Sequence, residues 1–194
     1  LNPDGTPLRD GSGATVPTYD QPVVVGYARA FSGWSFGGRD TTSSRAFYDG
    51  SETWTVPMQP WPAKHSTGTK QLLDGRVLAA GQTPQQDMKD ALDSLFAHPN
   101  VGPFIGRRLI QRLVTSNPSP AYVGRVAAAF ANNGAGVRGD LKAVVRAVLL
   151  DPEARDLNLA ASDNAGKQRE PVIRFANLLR GLKARAANGR NDIH

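Results

Sequence analysis

Three histidines and no cysteine bound the chemistry open to this chain. Without a thiol there is no disulfide, thiolate metal site, C-x-x-C-H haem attachment or cysteine nucleophile. His65 stands in K-H-S-T-G-T-K, residues 64–70, a polar, glycine-containing stretch with the chemistry to meet an anion or a metal. His98 and His194 lie far from it in sequence, with neither an H-x-x-x-H spacing nor a carboxylate cluster beside them. The sequence therefore supports neither a metal site nor a cofactor. Ser66 next to His65 is not a dyad signal, because triad members meet in space rather than by adjacency. His65, Lys70 and Arg108 remain as the polar groups an enzyme would draw on.

Other patterns weaken on inspection. G-W-S-F-G at 33–37 matches the G-x-S-x-G nucleophile elbow. An elbow needs a strand before the serine and a helix after it, whereas here a helix pattern precedes and a loop pattern follows. G-K-Q at 166–168 lacks the glycine spacing of a phosphate loop. Asp87, Asp90 and Asp93 read as the solvated face of a helix, favoured near its positive end.

The formal net charge is +6. Its basic residues are spread out, with Arg107, Arg108 and Arg112 the densest group and no block of five or more, which reads as solvated helix faces. Helices joined by short loops invite a helix-turn-helix reading. The S-P-A-Y-V-G-R start at 119–125 is poor in base-reading side chains, so nucleic acid is not the expected partner. No run of 18 apolar residues exists to span a bilayer.

The elements that must position these residues follow from periodicity and punctuation. Residues 1–19 read as a hairpin or extended loop, from N-P-D-G and D-G-S-G. A helix follows Asp20, with Pro22 in its first turn and Gly33 at its end. Asp49-Gly50 between aromatic flanks predicts a hairpin over 45–58. A short helix is expected over 69–73, closed by Asp74-Gly75. Then comes a helical core. Thr83-Pro84-x-Gln86 opens a helix with a capping box, and Met88, Ala91, Leu92, Leu95 and Phe96 form its inward stripe. The next helix carries Ile105, Leu109, Ile110, Leu113 and Val114, with Gly102 and Gly106 placed for close backbone approach. Val123, Val126, Ala127 and Phe130 face inward on a third. Asp140 caps a fourth, with Leu141, Val144, Val145, Val148 and Leu149 apolar, ended by Asp151-Pro152. A last helix from Pro171 carries Val172, Phe175, Ala176, Leu179 and Leu182, and ends at Asn188-Gly189. The fold class expected is mainly α: an orthogonal or antiparallel multi-helix bundle with a small β hairpin or extended aromatic-rich segment. Residues 1–194 read as one domain, with a loop, helix and hairpin part at 1–82 and a helical core at 83–187. The ends lack terminal character, which reads as a piece of a longer chain.

Several phrases together resemble a known family. P-T-Y-D-Q, A-R-A-F-S-G-W and H-S-T-G-T-K-Q-L-L-D-G are followed by H-P-N-V-G-P-F-I-G-R-R-L-I-Q-R-L-V-T-S-N-P-S-P-A-Y-V-G-R-V, then G-D-L-K-A-V-V-R-A-V-L-L-D-P-E-A-R and K-Q-R-E-P-V-I-R-F. Their order and spacing resemble the bacterial family called domain of unknown function 1800, over nearly the whole chain. The resemblance implies a largely helical, exported protein, longer than this chain. It also implies a protein of the domain of unknown function 1501 family as a partner. It carries no activity over. Members often show His-Asp where this chain has His65-Ser66, which sets His65 apart from the family's pattern.

Two functions are expected. The leading one is a non-enzymatic protein-binding or assembly module, with Trp34, Trp54 and Trp61 as interface candidates; exposed aromatics would mark an interface and buried ones only core. The alternative is a hydrolase-like or metal-assisted enzyme whose site is completed by segments outside these residues, drawing here on His65, Lys70 and Arg108.

Overall fold

The computed structural model describes residues 1–49, 53–159, 166–167 and 169–184. Gly50 of the expected turn, Gln168 of G-K-Q, the expected helix end at Asn188-Gly189, and His194 lie outside them. The described residues are mainly helical, with two antiparallel sheets of two strands each. The chain divides into two compact units: Leu1–Asn2 with Thr6–Val101, and Pro3–Gly5 with the chain from Gly102 onward.

The first unit opens with a loop whose Arg9 and Thr15 form an antiparallel bridge. Asp10 organises the turn, accepting from the Ser12 hydroxyl and from the Ser12 and Ala14 amides. Helix α1 (Gln21–Ala30) starts as its sequence suggests, with Asp20 accepting from the Val23 N–H at 3.0 Å. It packs on strand β3 (Lys70–Gln71). The approach is so close that a Cβ on Gly26 would run into the Gln71 carbonyl.

The hairpin expected over 45–58 is not what forms. Residues 44–48 are a short helix, α2 (Ser44–Tyr48), because Ser43 accepts from the Ala46 N–H and caps it. The β pairing runs instead between β1 (Trp34–Ser35) and β2 (Gln59–Pro60), with Trp34 opposite Pro60. Two strands leave each with a free edge, which is where proline is tolerated. The short helix expected over 69–73 is also corrected. Lys70 and Gln71 pair with β4 (Val77–Leu78), and a single 3₁₀ turn, Leu73–Gly75, joins the two strands. Asp74 there takes φ 56, the left-handed conformation that aspartate tolerates better than most residues.

Helix α3 (Pro84–Ala97) belongs to this unit and packs on α1. Thr83 accepts from the Gln86 N–H, but the capping box stays half made, since Gln86 donates to Asp90 instead. The helix is rotated from its expected setting. Its buried residues are Pro84, Asp87, Ala91 and Ser94, while Leu92, Leu95 and Phe96 are exposed. Polar partners turn it: Tyr27 and Ser94 share a hydrogen bond, and Asp87 has the partners described below. Ala30, Leu72, Leu78 and Ala91 form the adjoining apolar core, with Tyr27 and Phe31 against it.

The second unit is built on α4 (Val101–Leu113), α5 (Pro120–Ala131) and α6 (Leu141–Leu150). Gly102 and Gly106 let α4 approach α5 closely: a Cβ on Gly106 would stand 3.0 Å from Val126 Cγ1. Of the five apolar residues expected inside α4, Ile110 alone is fully buried. On α5 the expected Val123, Val126, Ala127 and Phe130 are all buried, joined by Tyr122, whose hydroxyl donates to the Val148 carbonyl at 2.5 Å. Burial, then the nearby Asp151 and Glu153 charges, push the Tyr122 phenol up to about 12. On α6 only Val144 and Val148 are buried, and Leu141 and Leu149 are exposed. Asp151 and Pro152 end α6 and also begin a one-turn helix, α7 (Pro152–Arg155), with Asp151 as its cap. The last helix described, α8 (Pro171–Gly181), leaves Val172, Phe175, Leu179 and, at its end, Leu182 exposed, with Ala176 half-buried.

Candidate functional site

Within the first unit, three titratable side chains meet out of reach of solvent. Lys70 leaves β3 and Asp87 leaves the first turn of α3. His65 follows the 3₁₀ turn Pro62–Lys64. Lys70 Nζ lies 2.5 Å from Asp87 Oδ2, and His65 Nε2 lies 2.8 Å from the same oxygen. The Lys70 and Asp87 side chains are 0% exposed and that of His65 is 1% exposed. Lys70 also donates to the Gly68 carbonyl at 3.0 Å. Among the described residues, no hydrogen-bond donor faces the other buried carboxyl oxygen, Asp87 Oδ1.

The backbone around α1 sets the histidine. Gly33 takes φ +76, and a Cβ on it would press on His65 N and Cα at 2.9 Å. Its carbonyl accepts from the Trp61 N–H and pins the segment leading to His65. The Ser32 hydroxyl donates to the Arg29 carbonyl at 2.6 Å and accepts from the Ser66 N–H at 2.9 Å. Its one proton is thereby used, so the contact at 2.9 Å between His65 Nδ1 and the Ser32 carbonyl places a proton on Nδ1. Nε2 then faces Asp87 with the remaining exchangeable position of the ring. The arrangement is a Lys–Asp–His relay meeting on one carboxylate oxygen, able to pass a proton among three groups but closed to any substrate from outside.

His65 and Lys70 are thus brought together, and Asp87, which the sequence places on a solvated face, is what joins them. Only its position one turn before Ala91 hinted at burial. Arg108 is no member of this network. It lies on α4 in the second unit, exposed, donating to Gln111 Oε1 with its guanidinium over the Phe104 ring. His98 is buried at the end of α3, where Nδ1 accepts from the Asn100 N–H. Its Nε2 is 3.7 Å from Asp74, too far for a hydrogen bond. Ser35 lies in β1 and donates to the Phe47 carbonyl, with no helix directly after it, so the elbow context is missing. Among the described residues no group of three or more histidines and carboxylates could hold a metal ion.

The three tryptophans part company. Trp61 is buried, with its ring edge-on to Phe47, and serves the core rather than the surface. Trp34 is half-buried in β1. Trp54 is 79% exposed and rests one edge on Phe36.

A mainly helical chain with a sealed Lys–Asp–His relay is the class that fold and site define. The family model described as protein of unknown function (DUF1800) matches residues 8–192, and the chain belongs to that family. No curated protein and no solved structure matches the chain. No helix among the described residues is long and apolar enough to cross a membrane.

Proposed function

We propose that this chain is a non-enzymatic module that docks a protein partner through α8. The observation carrying this reading is the exposed apolar face of that helix. Val172, Phe175, Leu178, Leu179 and Leu182 follow helical spacing, and all are exposed. Arg169, Arg174, Arg180 and Lys183 accompany them, with no acidic residue from 171 to 183. An apolar stripe whose own helix carries cations and no acidic residue fits an apolar groove with an acidic rim on a partner protein. The convergence of His65 and Lys70 on Asp87 favours the enzyme alternative, but their burial argues against it, because a catalytic group must reach its substrate. Family resemblance adds export, and names a domain of unknown function 1501 family protein as the first partner to try.

The test is native mass spectrometry of the full-length protein co-expressed with that partner. The expected result is a stoichiometric complex that F175E and L179E each abolish while secondary structure is kept. A lone chain, or a complex indifferent to both substitutions, overturns the reading. A bound small molecule on the lone chain would favour the enzyme.

A further inference from the structure

We propose that Lys70 and Asp87 form an intramolecular isopeptide bond, an amide between Lys70 Nζ and Asp87 Cγ. Distance alone does not carry this. Lys89 and Asp93 are also 2.5 Å apart, but on an exposed helix face, where water stabilises them as ions. Lys70 and Asp87 hold the same separation with no solvent exposure on either side chain. Two positions beyond Lys70 is Leu72, and one turn beyond Asp87 is Ala91, both fully buried members of the apolar core. No solvent reaches the pair, and one proton passed along the short contact yields the amine and carboxylic acid that can react. Asp87 Oδ1, which no donor among the described residues faces, adds to the cost of keeping the carboxylate charged.

The neutral pair is poised to react. Cγ lies no more than one carbon–oxygen bond beyond Oδ2, close to the ~3–3.5 Å of a near-attack contact. Nζ attacks Cγ, and a C–N bond forms. His65 Nε2 touches Oδ2, the oxygen that must leave. Nε2 takes the proton that the attacking nitrogen sheds and passes it to that oxygen, which already carries the acid proton, so the ring ends as it began. Its Nδ1–H stays on the Ser32 carbonyl throughout, which holds the ring in place. The Cγ–Oδ2 bond breaks and one water departs. No oxidant, metal or cofactor is needed. The product ties β3 to α3 in a chain that has no cysteine to do so.

The test is the intact mass of the full-length protein under denaturing conditions. The expected mass is one water below that of the sequence, with a branched proteolytic peptide joining the Lys70 and Asp87 segments. K70R should restore the sequence mass. D87N should give the same final mass as the native chain, because ammonia leaves in place of water. H65Q should slow formation by roughly 100-fold, the scale of general acid–base assistance. A native chain at its full sequence mass overturns the proposal, whatever the variants do. So does a water loss that persists in K70R, which would place the dehydration elsewhere.

Discussion

The two units hold their principal charges in opposite ways. In the first, Asp87 is enclosed between Lys70 and His65, and none of the three side chains is more than 1% exposed. In the second, Arg125 grips Asp151 through two hydrogen bonds of 2.7 and 2.8 Å and reaches Glu153 with a third, yet Arg125 itself is 46% exposed. Burial pushes the Asp151 carboxyl up, but the Arg125 bonds and the Glu153 N–H outweigh it and hold the group below the usual carboxylate range. Arg125 is raised in turn, by the Asp151 and Glu153 hydrogen bonds. The difference teaches where removal of one partner matters. A guanidinium at the surface can exchange its carboxylates for water. Sealed side chains cannot, so each member of the buried relay depends on the others.

The sharpest way to break this contrast is Asp87→Ala. It leaves Lys70 sealed without its acceptor, and should cost about 3–5 kcal/mol in denaturant unfolding. A loss as small as that of a surface pair would mean that water enters the relay after all. Next comes Gly26→Ala. In an ordinary helix interior this exchange stabilises, but here the new methyl meets the Gln71 carbonyl. We expect a loss of about 1–3 kcal/mol, and an unchanged unfolding midpoint would show that α1 and β3 can separate freely. Arg125→Met takes both guanidinium bonds from a carboxylate only 4% exposed, and should cost about 1–3 kcal/mol, less than Asp87→Ala because Arg125 itself is half in water. Raising the salt concentration should shrink that loss, whereas the Asp87→Ala penalty should hardly change with salt. Tyr122→Phe removes the donor to Val148 and should cost about 1 kcal/mol. The native Tyr122 also predicts alkaline sensitivity. Its folded pKa is raised from 10.0 to about 12, so its contribution is whole below pH 10 and is lost as pH rises towards 12. Tyr122→Phe should flatten that part of the pH–stability curve.

Much of the helical architecture was legible. Caps at Asp20, Thr83, Ser119 and Asp140 are side-chain to backbone bonds made within three residues, so the local sequence contains all their determinants. The inward face of α5 was legible too, because Val123, Val126, Ala127 and Phe130 are apolar at helical spacing, and only Tyr122 went unread. The face of α3 was not. Periodicity ranks Asp87 as polar and therefore outside, yet its partners come from residues 65 and 70, and a helical wheel holds no record of them. The pairing of β1 with β2 escaped for a similar reason. Asp49-Gly50 is a strong local turn signal, while the actual partners are Trp34 and Pro60, brought together across the whole of α2. At the site, the candidacy of His65 and Lys70 came from the sequence, but their meeting, and the carboxylate that joins them, came from tertiary structure alone.

Both sheets stop after two rungs. An edge that short offers too few unpaired amides and carbonyls to template another chain, and prolines stand at or near both ends of β2. The described β structure thus carries little risk of edge-to-edge polymerisation, and most of the chain's exposed leucines sit on helices, whose interior backbones have no hydrogen bonds to lend.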